Sequence, residues 1–384
     1  DDVDELVRNA QTRGMEVLIT VWGTPKWANG GKSPNVLPTN VNDFKSFAQA
    51  LASRYSGRNP GLPFVRFYGI WNESNLNQFL SPQFDAAGNI VSAKNYAKLA
   101  AAGYAGIKAG NAKALVAVGE TSARGRDKKL AGQSDTVSPG KFAELVAKAN
   151  PKLKFDAWAH HPYPAPVNQP PTQKVKWPNV SLTSLPKFET SLDAWFKRTN
   201  IPIWITEYGQ ETKPGEPKGV TEAQQASYIP KALALAKADK RVTMFIWFVL
   251  RDSTGSPWQS GLYRTGGDPK PGQSKFAAAA RPLDATNTTV TVKGGTKSPT
   301  VVAYAREFCA NNGSGTPVGV TMRTYLASKL VQVDQVQLPL GIDCTVNVKL
   351  TGLTVAKGKK YDVKLDLNTA NSGGFSRSIT LTGA

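Results

Sequence analysis

From residue 1 to residue 284 the chain alternates between short, unbroken apolar runs and longer stretches whose apolar residues recur every three or four positions. The runs at 17–21, 65–70, 115–119, 155–159, 201–206 and 242–250 predict strands. An uninterrupted apolar run of that length suits a strand covered on both faces. The stretches at 41–55, 96–110, 142–149, 188–198, 221–238 and 274–280 predict helices, and 3–13 predicts one ahead of the first strand. Strand followed by helix, repeated, implies βαβ units and a parallel sheet. No nucleotide-type glycine fingerprint interrupts the series, which favours a closed barrel over a doubly wound sheet. The expected fold class is therefore α/β, a (β/α)8 TIM barrel over 1–284. With six strands visible, its first two strands are expected to be absent from this chain, leaving the barrel N-terminally incomplete.

After residue 284 the pattern changes. Seven β-rich runs (TVTV, TVVAYAREF, VGVTMRTYL, VQVDQVQL, CTVNVKL, YDVKLDL and SRSITL) are separated by Gly, Asn, Pro and Ser. This spacing predicts an all-β sandwich accessory domain over 285–384. Cys309 and Cys344, the chain's two cysteines, fall in or beside two of these runs. A disulfide between them closes a loop of about 35 residues, worth roughly 3–4 kcal/mol, and suits a secreted, extracellular protein; two buried free thiols are the other reading. The chain begins at Asp1 without a methionine or a signal peptide, which implies processing or truncation upstream.

Charge narrows the partners less than it first suggests. The 47 Lys and Arg against 28 Asp and Glu give a net charge of +19, and both the barrel and the β-rich region are basic. Such an excess suits an acidic polymer or a merely solvated surface equally well. No RNP-type aromatic strand, finger spacing or basic amphipathic helix is present, so no nucleic-acid partner is expected. No apolar run reaches the roughly 18 residues of a membrane span. Two adjacent histidines and two distant cysteines do not form a zinc site of the usual spacing, and neither metal nor cofactor is expected. The protein is expected to act as a monomer.

Chemistry in a barrel of this kind sits where strands end, at their C-terminal face. The residues at those ends are Trp22 and Trp27; Asn72 and Glu73; Glu120; His160, His161 and Tyr163; Glu207 and Tyr208; and Trp247, Asp252 and Trp258. Glu73 and Glu207 each end a strongly apolar run, IWNE and IWITEYG. A carboxylate on such a frame is costly unless solvated, paired or functional. The aromatic residues offer flat faces for sugar rings, while Asn, His and Tyr can bond hydroxyls. Two carboxylates among aromatics are what glycoside cleavage requires, one giving a proton to the leaving oxygen and one attacking the anomeric carbon or activating water. There is no G-x-S-x-G elbow and no P-loop. Glu120 shares the location but no motif, and reads as an ion-pair partner or a substrate contact. Asp252 reads as a substrate contact or, as is more usual for a loop Asp beside an Arg, as a local cap.

Asn72-Glu73 at one strand end and Glu207 three strands later resemble the retaining glycoside hydrolases of clan A, which carry an Asn-Glu pair after the fourth barrel strand and a second Glu after the seventh. The HHPY run and Trp247 fit the same pattern, over roughly residues 17–284. The flavour is closest to glycoside hydrolase family 39, with family 5-type enzymes the other candidate. The resemblance implies a retaining glycosidase acting on a poly- or oligosaccharide, with Glu73 as acid/base and Glu207 as nucleophile. It also implies that Asn72 bonds the hydroxyl beside the anomeric carbon, that His160 or His161 and Tyr163 orient nucleophile or sugar, that Trp247 floors the subsite and that Trp22 lines it, with Trp258 a further substrate contact. A non-catalytic glycan-binding or cell-surface protein on the same scaffold is the second reading, supported by the missing strands.

Overall fold

Six parallel strands lie side by side in chain order: β1 (Leu18–Val21), β2 (Phe67–Ile70), β3 (Leu115–Ser122), β4 (Ala157–His161), β5 (Ile203–Tyr208) and β6 (Val242–Trp247). This computed structural model describes residues 2–11, 13, 15–59, 62, 64–256, 258–280, 287–309, 312–341 and 344–384. Helix α1 (Asp2–Gln11) precedes β1, and α2 (Val41–Arg54), α3 (Ser92–Gly110), α4 (Pro139–Ala149), α5 (Leu185–Phe196), α6 (Glu222–Ala238) and α7 (Pro271–Ala279) follow the six strands in turn. The sheet is the curled half of a (β/α)8 barrel, and β1 and β6 are its edges among the described residues. Among those residues no helix is long and apolar enough to cross a membrane.

Strand parity sorts the sheet into two faces. Tyr68, Ile70, Val116, Val118, Trp158, Ile203 and Ile205 belong to the large core beneath the helices. Ala117, Ala157, Ala159 and Trp204 form a separate cluster with Leu18, Phe67 and Met244 on the concave side. There the Trp204 and Phe67 rings meet edge to face at 5.4 Å, and three alanines leave room for them.

Close helix packing backs β2. Phe44, Ala48 and Ala52 form the buried stripe of α2, whose N-cap Asn40 accepts from the backbone N–H of Asn42 at 3.1 Å. The facing stripe of α3 is Gly103, Gly106 and Gly110. A Cβ at Gly106 would stand 2.3 Å from the Lys45 carbonyl oxygen, and one at Gly110 2.3 Å from that of Gln49. The glycines let the two backbones touch.

Most element ends agree with the hydrophobic pattern, and the exceptions have causes. β4 begins two residues later than expected and takes in both histidines. β3 runs on past Gly119 because a register shift between Val118 and Thr121 carries it through a bulge.

Among the described residues the C-terminal region has the expected seven strands, β7 (Asn287–Val292), β8 (Thr300–Tyr304), β9 (Pro317–Leu326), β10 (Lys329–Pro339), β11 (Thr345–Lys349), β12 (Lys360–Thr369) and β13 (Ser372–Gly383). Five form a sheet in the order β10-β9-β12-β13-β7, and β8 pairs with β11. Residues of both sheets contribute to one hydrophobic cluster. The run expected as a single strand, TVVAYAREF, breaks after Tyr304 into a helical turn, α8 (Arg306–Cys309), which buries Phe308 against Phe375 at 4.5 Å. Cys309 and Cys344 are disulfide-bonded, their Cα atoms 5.8 Å apart. The boundary expected between residues 284 and 285 lies outside the described residues. The two regions are clamped at Glu16: its carboxylate pairs with buried Arg306 and lies 3.5 Å from Arg66 Nε, while both guanidiniums face the Tyr304 ring.

Two stability effects follow. Gly106→Ala gains up to about 1 kcal/mol of helix propensity but drives a methyl into backbone, an overpacking of about 1–3 kcal/mol. The variant should unfold at lower denaturant concentration than the wild type, with an unchanged slope. Replacing Cys309 and Cys344 together by Ala should lower stability by about 3 kcal/mol, read from the C-terminal unfolding transition.

Candidate active site

Left-handed backbone turns deliver two of the acids. At the end of β2, Trp71 has φ 71° and Glu73 φ 36°, conformations that cost a residue with a side chain about 1–2 kcal/mol. What holds them is packing: Trp71 is fully buried, donates through Nε1 to the Phe79 carbonyl at 2.7 Å and takes the Phe44 ring edge-on at 6.2 Å. In the β3 bulge Gly119 has φ 100° and Glu120 φ 42°. A side chain at position 119 would collide with the Trp158 ring at 2.5 Å. The bulge re-aims the chain so that Glu120 points to the concave side.

His161 stands at the centre. β4 places Ala157, Ala159 and His161 on the concave parity, and His161 is 1% exposed. Its Nδ1 lies 3.2 Å from Glu73 Oε1 and 3.7 Å from Glu207 Oε2. Its Nε2 lies 3.0 Å from Thr206 Oγ1 and 3.2 Å from Glu120 Oε2. Thr206 in turn donates to Glu120 Oε2 at 2.5 Å, and Tyr163 donates to Glu207 Oε2 at 2.8 Å. Two oxygens so close to one nitrogen lie within about 7 Å of each other, inside the range over which paired carboxylates cleave glycosides.

Charge follows from this geometry. Burial by itself drives the His161 imidazolium toward neutrality, but Glu207, Glu120 and Glu73 outweigh it and push its pKa up to about 10. Burial lifts Glu207 above the ordinary carboxylate range; His161 and Tyr163 pull it back while Glu73 adds to the rise. Burial also raises the Tyr163 phenol, and the Glu207 charge adds to it. His160 faces the other way: it bonds Thr121 Oγ1 at 2.9 Å and the Val180 carbonyl at 3.2 Å beneath the helices, where burial lowers its pKa to about 3.

A cleft of about 260 Å³ is lined by Leu18, Thr20, Trp22, Asn72, Phe79, Glu120, His161, Thr206 and Glu207. Trp22 is 43% exposed and also borders an apolar cavity of about 350 Å³ shared with Trp27, itself 76% exposed. Of the expected residues, the structure thus brings together Glu73, Glu207, Asn72, Trp22, His161 and Tyr163. It does not bring in His160, or Trp247, which was expected to floor the subsite. Trp247 is 8% exposed in the helix-facing core, edge-on to Tyr208 and Phe276, because it shares the outward parity of Phe245. Trp258 reaches the site through another residue, packing edge-on to Tyr163 at 4.8 Å. Asp252 is more than a local cap: it accepts from Gly261 N–H at 2.7 Å and pairs with buried Lys270 Nζ at 2.6 Å. Glu120 and Thr206 are the members that the sequence did not single out as a pair. The readable signals are the Gly before Glu120, which permits a bulge, and the shared inward parity of Trp204 and Thr206.

The chain's two histidines make the electrostatics directly testable. With 15N-labelled histidine, NMR should show at pH 8 one imidazole with both nitrogens protonated, His161, and one neutral, His160. His160 should stay neutral on acidification to pH 5. The sign for stability follows: the His161 contribution, from a raised pKa, is complete below about 6.5 and is lost as pH rises through about 10.

Solved structures similar to this chain include the GH39 enzyme from Xanthomonas axonopodis pv. citri, 14% identical over 93% of this chain and 79% of that one, with a TM-score of 0.42. GH5_18 from Streptomyces cattleya in complex with GlcNAc is 14% identical over 76% of this chain and 69% of that one, at 0.49. Native xylanase 10B from Thermotoga maritima is 13% identical over 72% and 78%, at 0.46. No match is found among curated proteins. The family model of cellulase, glycosyl hydrolase family 5, matches residues 1–252, the larger part of the chain and all of the carboxylate cluster: the chain belongs to that family and is a glycosidase.

Proposed function

We propose that the chain cleaves O-glycosidic bonds of a poly- or oligosaccharide by double displacement, with retention at the anomeric carbon. One observation carries the reading: Glu73 and Glu207 present oxygens to the same nitrogen of His161, at 3.2 and 3.7 Å. That closeness keeps the two oxygens within about 7 Å of each other and so accommodates the carboxyl separation of about 5–5.5 Å found where the second acid attacks directly. Glu73 in its protonated form gives a proton to the leaving oxygen while the Glu207 carboxylate attacks the anomeric carbon. The resulting glycosyl-enzyme is hydrolysed when Glu73, now a carboxylate, takes a proton from water. Tyr163 holds Glu207 by its hydrogen bond, Asn72 offers an amide to a sugar hydroxyl, and the exposed rings of Trp22 and Trp27 offer faces to sugar rings. The Cys309–Cys344 bridge supports a secreted, extracellular setting.

A panel of plant, bacterial and mycobacterial polysaccharides should reveal the substrate by released sugars. On that substrate Glu207→Ala should lower kcat by at least about 10⁴-fold, with added azide giving a glycosyl azide. Proton NMR of the first-formed product should show the substrate's own anomeric configuration. An inverted product, or undiminished turnover by Glu207→Ala, would overturn the mechanism.

A further inference from the structure

The cleft contains a third carboxylate that double displacement does not use. Glu120 is 1% exposed, and its Oε1 has no hydrogen-bond partner among the described residues. Holding an acid in that position is costly, and the chain adopts a left-handed backbone at residue 120 to do it. The same position rules out a side chain at residue 69, where a Cβ would lie 2.3 Å from Glu120 Oε1.

Hydrogen-bond polarity says what the acid does. The Thr206 hydroxyl has one hydrogen, and it goes to Glu120 Oε2. What Thr206 Oγ1 turns toward His161 is therefore a lone pair, 3.0 Å from Nε2, with the Glu120 oxygen, also an acceptor, 3.2 Å away. Two acceptors require a proton on Nε2. We propose that Glu120 is a positioning residue for the cleavage at Glu73 and Glu207: with Thr206 it holds one proton of the His161 imidazolium on Nε2, so that the second proton, on Nδ1, is the one the two reacting carboxylates share. The inference rests on the proposed roles of Glu73 and Glu207.

The groups that face this ring come from three strands: Glu73 after β2, Glu120 in β3, and Thr206 and Glu207 in β5. Tyr163 meets the ring edge-on at 6.4 Å, and His160 is the adjacent residue in β4. Thr20 from β1 lines the same cleft as Glu120, and the Tyr96 phenol from α3 donates to the Ile70 carbonyl at 2.9 Å and accepts from the N–H of Gly119, the residue before Glu120, at 2.7 Å. None of these supplies a second cation, so the positive charge of His161 is balanced by the three carboxylates, with the Thr206 hydroxyl bridging Glu120 to Nε2.

Glu120→Gln keeps the shape of the side chain, removes its charge and offers an amide N–H where an acceptor stood. In 15N-histidine NMR of the substrate-free protein, His161 should lose its proton at least one pH unit lower than in the wild type, a tenfold fall in proton affinity. On the cleaved substrate kcat should fall about 10- to 100-fold, with KM within about twofold. Should Glu120→Gln fail to fold, Thr206→Val should shift the same imidazole signal, and Thr206→Ser should retain the wild-type spectrum. An unchanged His161 titration in Glu120→Gln, or an unchanged kcat, overturns the inference and leaves the mechanism standing. Undiminished cleavage by Glu207→Ala would instead end the mechanism, and the imidazole measurement, made without substrate, would still judge Glu120.

Discussion

Three glutamates can share one buried cleft only if something positive is buried with them. Two like charges at contact distance repel by about 4 kcal/mol at the effective dielectric near a protein surface, and burial adds a desolvation penalty to each. His161 meets that requirement with a single ring that touches Glu73, Glu120 and Glu207 at once. The three acids come from three different strands, so the contact exists only when β2, β3, β4 and β5 sit in the right parallel register. Fold and site are thereby coupled through one imidazole.

Supports around the site follow the same logic. Trp71 is locked by its indole hydrogen bond and by Phe44, and α2 and α3 press together through glycines behind it. On the far side, the loop after β6 is held by the buried Lys270–Asp252 pair, with Lys270 also donating to Thr212 at 2.7 Å. That loop carries Trp258, whose ring braces Tyr163 and so the hydroxyl bonded to Glu207. A buried ion pair is weak evidence of stability in its own right, and here it fixes the position of a loop.

Much of this was legible in the chain. Each apolar run became a strand and each amphipathic stretch a helix, because burial on both faces leaves a sheet of this kind no other pattern. Glu73 and Glu207 stood out as acids ending apolar runs. What sequence reasoning left open was which histidine faces the cleft, yet parity decides it once β4 is known to run from Ala157 to His161: residues 157, 159 and 161 share a face, and Trp158 and His160 share the other. The same parity takes Trp247 into the core. The Gly before Glu120 permits a bulge but does not dictate one, since whether a Gly-Glu pair bends a strand depends on Trp158 filling the space beside it, a contact between neighbouring strands. The helical turn at Arg306–Cys309 escaped for a similar reason, because the burial of Phe308 is settled against Phe375, far along the chain.

The clamp at Glu16 bears on how the two regions can be recombined. Arg306 is 3% exposed and its guanidinium is spent on Glu16 and the Tyr304 ring. Cutting the chain near residue 285 therefore does more than remove an appendage: it leaves Glu16 with Arg66 alone and opens an ionic seam to water. A chimera that exchanges the C-terminal region has to bring its own cation to position 306 and its own ring to position 304. The seam is the unit of exchange.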